Sequence, residues 1–235
     1  MSLTEADEVF GAIHENALND MLRAFFNARP RYRRFGSAAF VPATSVSQTQ
    51  MGAIPLPFGG SIDWRVSFDI PQIDLFKESM PLPPQLTLQP GQFSLRTRVE
   101  LCINCVKRQD DHKEDTGRDD RGKEDKGKDD RGRERGQLGE VVCTRLGVYG
   151  VGHLDSWHNG NGDGEVRLRV DAVELVDITP DGLESLLECL IRMVLDSALM
   201  HVVLPLKALR AGAFHLVVTR GPDIADDSIK VFGDV

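Results

Sequence analysis

The sequence predicts an α+β protein: a long, curved antiparallel sheet wrapped around a long apolar helix, with an amphipathic helix at the N-terminus. Three observations carry this. Three segments between residues 61 and 178 alternate apolar and polar residues, the two-residue period of half-buried antiparallel strands, and a fourth segment between them reads as a strand as well. Residues 179–205, TPDGLESLLECLIRMVLDSALMHVVLP, are apolar on nearly every side at helical spacing. Strands and helices do not alternate along the chain, so a parallel doubly wound sheet has no place here.

Taken in order, residues 4–28 read as the first amphipathic helix. Thr4 is its N-cap, with Asp7 standing in for the glutamate of a capping box. Phe10, Ile13, Ala17, Met21 and Phe25 recur at helical spacing, Leu18, Leu22 and Phe26 widen the stripe, and Pro30 ends it. Residues 36–60 have no sustained period and read as irregular, with one short strand near Val46. In residues 61–70, Ile62, Trp64, Val66, Phe68 and Ile70 face one side and Asp63, Arg65, Ser67 and Asp69 the other. Residues 80–91 are a loop rich in proline and glycine. Residues 92–106 alternate again through Phe93, Leu95, Thr97, Val99, Leu101 and Ile103. Residues 140–154 make a third strand and 164–178 a fourth, in which Val166, Leu168, Val170 and Ala172 share a face.

The apolar segment 179–205 predicts a helix of roughly 24 residues, about 36 Å long, capped by Thr179, opened by Pro180 and stopped by Pro205. Leu183, Leu187, Leu190, Val194, Ala198 and Val202 line one face; Leu186, Ile191, Met193, Leu195 and Leu199 make the rest apolar. Such a helix is buried nearly all round. Its charges, Glu184, Glu188, Arg192 and Asp196, argue against a membrane span. Ala213–Thr219 and Ile229–Val235 close the chain as a strand pair, with GPDIADD as turn chemistry between them. Residues 1–235 thus read as a single domain.

Residues 107–136 interrupt this plan. They carry Lys/Arg and Asp/Glu in equal numbers, contain nothing apolar, and repeat a pentad seen in RGKED, KGKDD and RGRER. With no apolar surface to offset ordering entropy, the segment is expected to be a disordered, solvated loop joining two paired strands. A docking tail for a protein partner is the alternative reading.

The chain is 41% hydrophobic with a net charge of −8. This composition supports a sizeable core and argues against nucleic-acid binding. MSLTEADEVF has neither a basic n-region nor an apolar h-region, so the cytoplasm is the expected compartment. Cys102, Cys105 and Cys143 are too few for a zinc site, and a CxxC on a strand points its sulfurs to opposite faces. They read as inert, metal-free thiols, with a disulfide or redox pair as the alternative, and Cys189 reads as a buried apolar residue. Asn159-Gly-Asn161-Gly-Asp163-Gly164 copies half of a calcium loop, but its twelfth position is Val170; it reads as a hairpin turn. His153, Asp155 and His158 accompany no nucleophile motif, His14 and His201 read as ordinary helix side chains, and no phosphate-cradling glycine motif occurs. The chain is therefore read as a non-enzyme without metal or cofactor. Arg23, Arg29, Arg31, Arg33 and Arg34 gather around Tyr32 and Phe35, as a solvated helix end or as a patch for an anionic head group.

The order of elements resembles the tubular lipid-binding superfamily, the fold of bactericidal/permeability-increasing-protein-like domains. The matching pieces are ITPDGLESLLECLIRMVLDSALMHVVLP followed by FHLVVTRGPDIADDSIKVFGDV, with SIDWRVSFDI and QFSLRTRVELCI as sheet strands. The resemblance implies a curved sheet around a long helix and an apolar tunnel for lipid. The excess of apolar surface on helix and strands points the same way, to a hydrophobic cavity between them. The candidate ligand-binding residues are Trp64, Phe68, Leu95, Leu190 and Val194, and the expected partner is a lipid or other apolar small molecule. A structural or assembly subunit without ligand is the alternative.

Overall fold

The computed structural model describes residues 9–56, 60–75, 80–105, 141–158, 164–176, 181–205, 210–211, 214–215, 217–225 and 227–234. The chain opens with a strand, β1 (Val9–His14), followed by α1 (Glu15–Ala28) and a 3-10 turn at Pro30–Arg33. The expected helix over 4–28 therefore starts later. His14 caps it, accepting from the Asn16 amide at 3.2 Å, and Thr4, the expected cap, lies outside the described residues. The reason is tertiary: β1 pairs antiparallel with the last strand of the chain, a partner that local spacing cannot reveal. The buried stripe of α1 is Leu18, Leu22 and Phe26, while Met21 and Phe25 are only partly covered.

Next come β2 (Arg34–Ser37), β3 (Thr49–Met51) and β4 (Ile54–Pro55). The short strand expected near Val46 falls instead at 49–51, and Val46 is exposed. The alternating segments become β5 (Ser61–Phe68), β7 (Gln92–Cys105), β8 (Val141–His158) and β9 (Gly164–Val176), with the short β6 (Gln72–Asp74) beside β7. After α2 (Asp181–Leu199) the chain adds β10 (Val203–Pro205), a two-residue pair β11 (Arg210–Ala211) and β12 (Phe214–His215), and the closing β13 (Val217–Ala225) and β14 (Ser228–Asp234).

The main sheet has nine strands, ordered β10-β9-β8-β7-β5-β2-β3, with β4 on β5 and β6 on β7. Every pairing in it is antiparallel except β2 with β3. It is strongly curled. A bulge contributes: Val151 pairs Ala172 and Gly152 pairs Val170, leaving Asp171 as the extra residue. The bulge shifts the phase of β9. Val166, Leu168 and Val170 are buried before it, and Val173 and Leu175 after it, so Ala172 leaves the core row assigned to it. Gly152 belongs to the same junction: a Cβ there would strike the Arg169 carbonyl and come within 2.6 Å of the Phe93 ring.

The apolar face of the sheet, through Trp64, Val66, Phe93, Leu95, Val99, Leu101, Leu146, Val148 and Leu168, joins both helices in one core cluster. β1, β14 and β13 form a separate three-stranded sheet, whose Ile229 and Val231 enter the same cluster. Most of GPDIADD lies within β13, and the turn is confined to its end, where Asp227 adopts φ 56°.

The second helix departs most from expectation. It has 19 residues and ends at Leu199; Val203 and Leu204 are already strand, paired with Arg167 and Val166. The β-branched Val202 and Val203 favour extended backbone, and an open edge of β9 receives the chain from Val203 onward. Nor is the helix buried all round. Leu187, Leu190, Ile191, Val194, Leu195 and Ala198 face inward, while Leu186 (42%) and Met193 (46%) face solvent. The helix therefore lies on the sheet instead of being enclosed by it.

β7 and β8 pair from Gln92↔His153 to Asn104↔Val141. The charged segment 107–136 connects these paired strands and lies outside the described residues, as does the 159–163 turn with its calcium-like pattern.

Candidate functional site

The apolar face of the sheet takes one helix at each side. α1 is latched to β6. Asn19 donates from Nδ2 to the Ile73 carbonyl (2.7 Å) and accepts the Ile73 amide at Oδ1 (2.9 Å), and Glu15 accepts the Leu75 amide (2.9 Å). These bonds satisfy edge groups of a short strand that would otherwise stand open. Phe26 then reaches β5, edge-on to Phe68 at 5.9 Å.

α2 is latched to β9. Arg169 donates from Nε (2.9 Å) and an Nη (3.0 Å) to the two oxygens of Asp196, a bidentate pair, and Asp196 also accepts the Val170 amide at 3.0 Å. That amide lies beyond the point where β10 stops pairing with β9. Burial works to raise the Asp196 carboxyl, but the Arg169 and Val170 hydrogen bonds outweigh it and hold the group below its ordinary value. The same hydrogen bond raises Arg169. Arg192 adds a bond to the Asp171 carbonyl at 3.1 Å.

Between the latched helices run β7 and β8. α1 and α2 are thus hydrogen-bonded to different strands, β6 and β9. They are joined at one end, where Tyr32, just past α1, stacks on His201, just past α2, with ring centroids 4.5 Å apart. Phe25 stacks behind Tyr32 at 5.6 Å. Two separately latched helices thus meet over the apolar face of the sheet, and the line where they meet is called the seam.

The five residues expected to line a ligand site all fall in this core, 0–5% exposed. They are not all neighbours. Trp64 and Phe68 stand on β5, under the α1 side; the Trp64 indole donates to the Gly52 carbonyl at 3.0 Å, and Phe68 lies between Phe26 and Phe35. Leu95 is on β7, paired with Ile73 of β6 and Gly150 of β8. Leu190 and Val194 come from α2 over β9, three strands away from β5. The latches and the Tyr32–His201 stack had no counterpart in the sequence reading. The usable signal was Asp196, an acid set among apolar helix residues, which needed a cation on a neighbouring element.

Other candidate groups resolve differently from expectation. Cys102 and Cys143 are joined by a disulfide between directly opposed residues of β7 and β8, so they are not inert thiols. The antiparallel register that aligns them is hidden in the sequence by the charged segment. The side chain of Cys105 lies outside the described residues. Cys189 is exposed and free, not buried. His153 pairs with the bulge residue Asp171 at 2.7 Å, which Gln92 also contacts at 2.9 Å. Glu174 on β9 and Glu184 and Glu188 on α2 bring carboxylate oxygens within 4.8 Å of one another. Burial, then the negative charge of Glu188, pushes the Glu174 carboxyl up. Among the described residues, no helix is long and apolar enough to cross a membrane.

No family model matches the chain, and no curated protein matches it. Among solved structures it is similar to a lipopolysaccharide binding protein, with 13% identity and a TM-score of 0.31. That alignment covers all of this chain and 41% of the other, so the chain spans less than half the length of that protein.

Proposed function

We propose that this chain binds or carries a lipid or other apolar ligand between its helices and the apolar face of its sheet, as a binding protein and not an enzyme. The observation that carries this reading is the seam. Two helices are hydrogen-bonded to different strands, they meet at the Tyr32–His201 stack, and the surface beneath them is apolar. Parting them at the Tyr32–His201 stack leaves both latches intact and uncovers Leu95, with Phe68 on one flank and Leu190 and Val194 on the other. An apolar chain inserted there removes its own surface from water at roughly 25 cal/mol per Å². Trp64, fixed by its bond to Gly52, forms the end wall.

Compartment belongs to the same proposal. The cytoplasm expected from the sequence does not suit a disulfide such as Cys102–Cys143, which favours an oxidising compartment.

A second reading has its own support. Leu186 and Met193 on the outward side of α2 and Met200 just past its end recur every seven residues, each more than a third exposed. Such a stripe suits an assembly subunit whose helix packs against a protein partner.

Titration with a fluorescent fatty-acid probe tests the first reading. Wild-type protein should bind the probe saturably and melt at a higher temperature when loaded. Leu190→Trp should fill the seam, abolish probe binding and leave the fold intact. No probe binding by the wild type, together with a loss of roughly 1–3 kcal/mol or more on the substitution, marks a closed core and removes the carrier reading.

A further inference from the structure

We propose that the face of the sheet turned away from the helices carries an oxyanion site, built for a phosphate group, in the cleft of Arg33, Arg34, Arg98 and Arg145. The inference is independent of the apolar seam. The cleft has a volume of about 610 Å³, and these four arginines line it together with Ser67 and Gly147.

Register explains the convergence. Arg34 on β2 pairs with Ser67 on β5, Ser67 with Glu100 on β7, and Glu100 with Arg145 on β8. Directly paired residues project to one side of a sheet, so this is a single polar row spanning three strand spacings, about 14 Å. Arg98 is two residues from Glu100 on the same strand and projects to the same side. Its partner on β8 is Gly147. A Cβ at Gly147 would meet nothing within 4 Å. The floor beside Arg98 is therefore open.

The charges are unbalanced. The cleft holds four guanidinium groups against two carboxylates, Asp69 and Glu100. Glu100 already serves Arg65 at 3.3 Å and Arg145 at 3.6 Å. Among the described residues, Arg33, Arg34 and Arg98 have no ion pair. Arg33 goes further: its Nε is buried without a hydrogen-bond acceptor, a condition that destabilises the fold unless a ligand supplies the acceptor. A chain of net charge −8 gathers here an excess of cations and a buried donor without a partner. The guanidinium fork matches the oxygens of phosphate with two parallel hydrogen bonds, and the Ser67 hydroxyl sits in the row as an additional donor. The phosphate can belong to a lipid head group or to a soluble phosphate.

The test measures binding of the full chain to phosphatidic acid vesicles, to phosphatidylcholine vesicles and to inorganic pyrophosphate. Two variants accompany it. Gly147→Glu places a carboxylate in open space on the cleft floor without removing any arginine, and Arg98→Gln deletes one cation. Melting temperatures check that both fold. Binding to phosphatidic acid but not phosphatidylcholine, competed by pyrophosphate and weakened at least tenfold in both variants, assigns the site to a lipid head group. Pyrophosphate binding lost in both variants, with no vesicle binding, assigns it to a soluble phosphate. Failure of wild-type protein to bind either anion overturns the proposal, as does binding that both folded variants retain in full.

Discussion

Asp196 is the residue on which the placement of α2 depends. It accepts three hydrogen bonds from β9, two of them from Arg169 and one from the Val170 amide. Asp196→Ala removes both acceptor oxygens and with them all three bonds, and chemical denaturation should record a loss of about 1–3 kcal/mol, Arg169 being partly solvated. Its pH dependence has a definite sign. The folded-state pKa is lowered, so the contribution is present above the unfolded value and is lost as pH falls through the folded one. Asp196→Asn should therefore flatten the acid limb of the stability profile. Glu174 behaves oppositely. Its pKa is raised, so the folded state holds the proton more tightly, and stability declines as pH rises from the unfolded value through the folded one. Glu174→Gln should raise the neutral-pH melting temperature by up to about 2–4 °C and leave it little changed in acid. Equal shifts at both pH values would contradict this account of the carboxylate cluster.

At the scale of elements, the β7–β8 hairpin couples two features. The Cys102–Cys143 disulfide closes a loop with a sequence separation of 41 that contains the charged segment. Loop entropy makes such a bridge worth about 4 kcal/mol, falling to about 2.5–3 kcal/mol if the enclosed loop shrinks to some ten residues. Replacing 107–136 with a short Gly-Ser turn should leave the melting temperature within about 5 °C, since loop cost grows only logarithmically. Reduction should then destabilise the shortened chain less than the full one. A collapse of folding on replacement would mean that the segment packs on the core. The elements also divide by how legible they were. Strands β5 and β7, and β9 up to its bulge, are legible because one buried face imposes alternation. β1 was not, because Phe10 and Ile13 fit a helical stripe equally well and only pairing with β14 decides the matter. The end of α2 is not legible because Val202 and Val203 continue an apolar helical pattern, and only the open edge of β9, which pairs from Val203 onward, decides the matter.

For the whole molecule, the sequence indicated which residues are apolar and buried but not how they are distributed. Trp64, Phe68, Leu95, Leu190 and Val194 all lie in the core, yet they belong to two sides of a seam that depends on Asn19, Asp196, Tyr32 and His201, polar and aromatic contacts between segments distant in the chain. Periodicity reports which face is buried and is silent about what covers it. The central claim is that this seam admits an apolar ligand. Native mass spectrometry of gently purified protein tests it most directly. The account expects a monomer accompanied by a discrete added mass of lipid size, removed by organic extraction and restored by incubation with fatty acid. A multimer without added mass, whose subunits take up none on incubation, would contradict it and leave the α2 stripe of Leu186, Met193 and Met200 as an assembly surface.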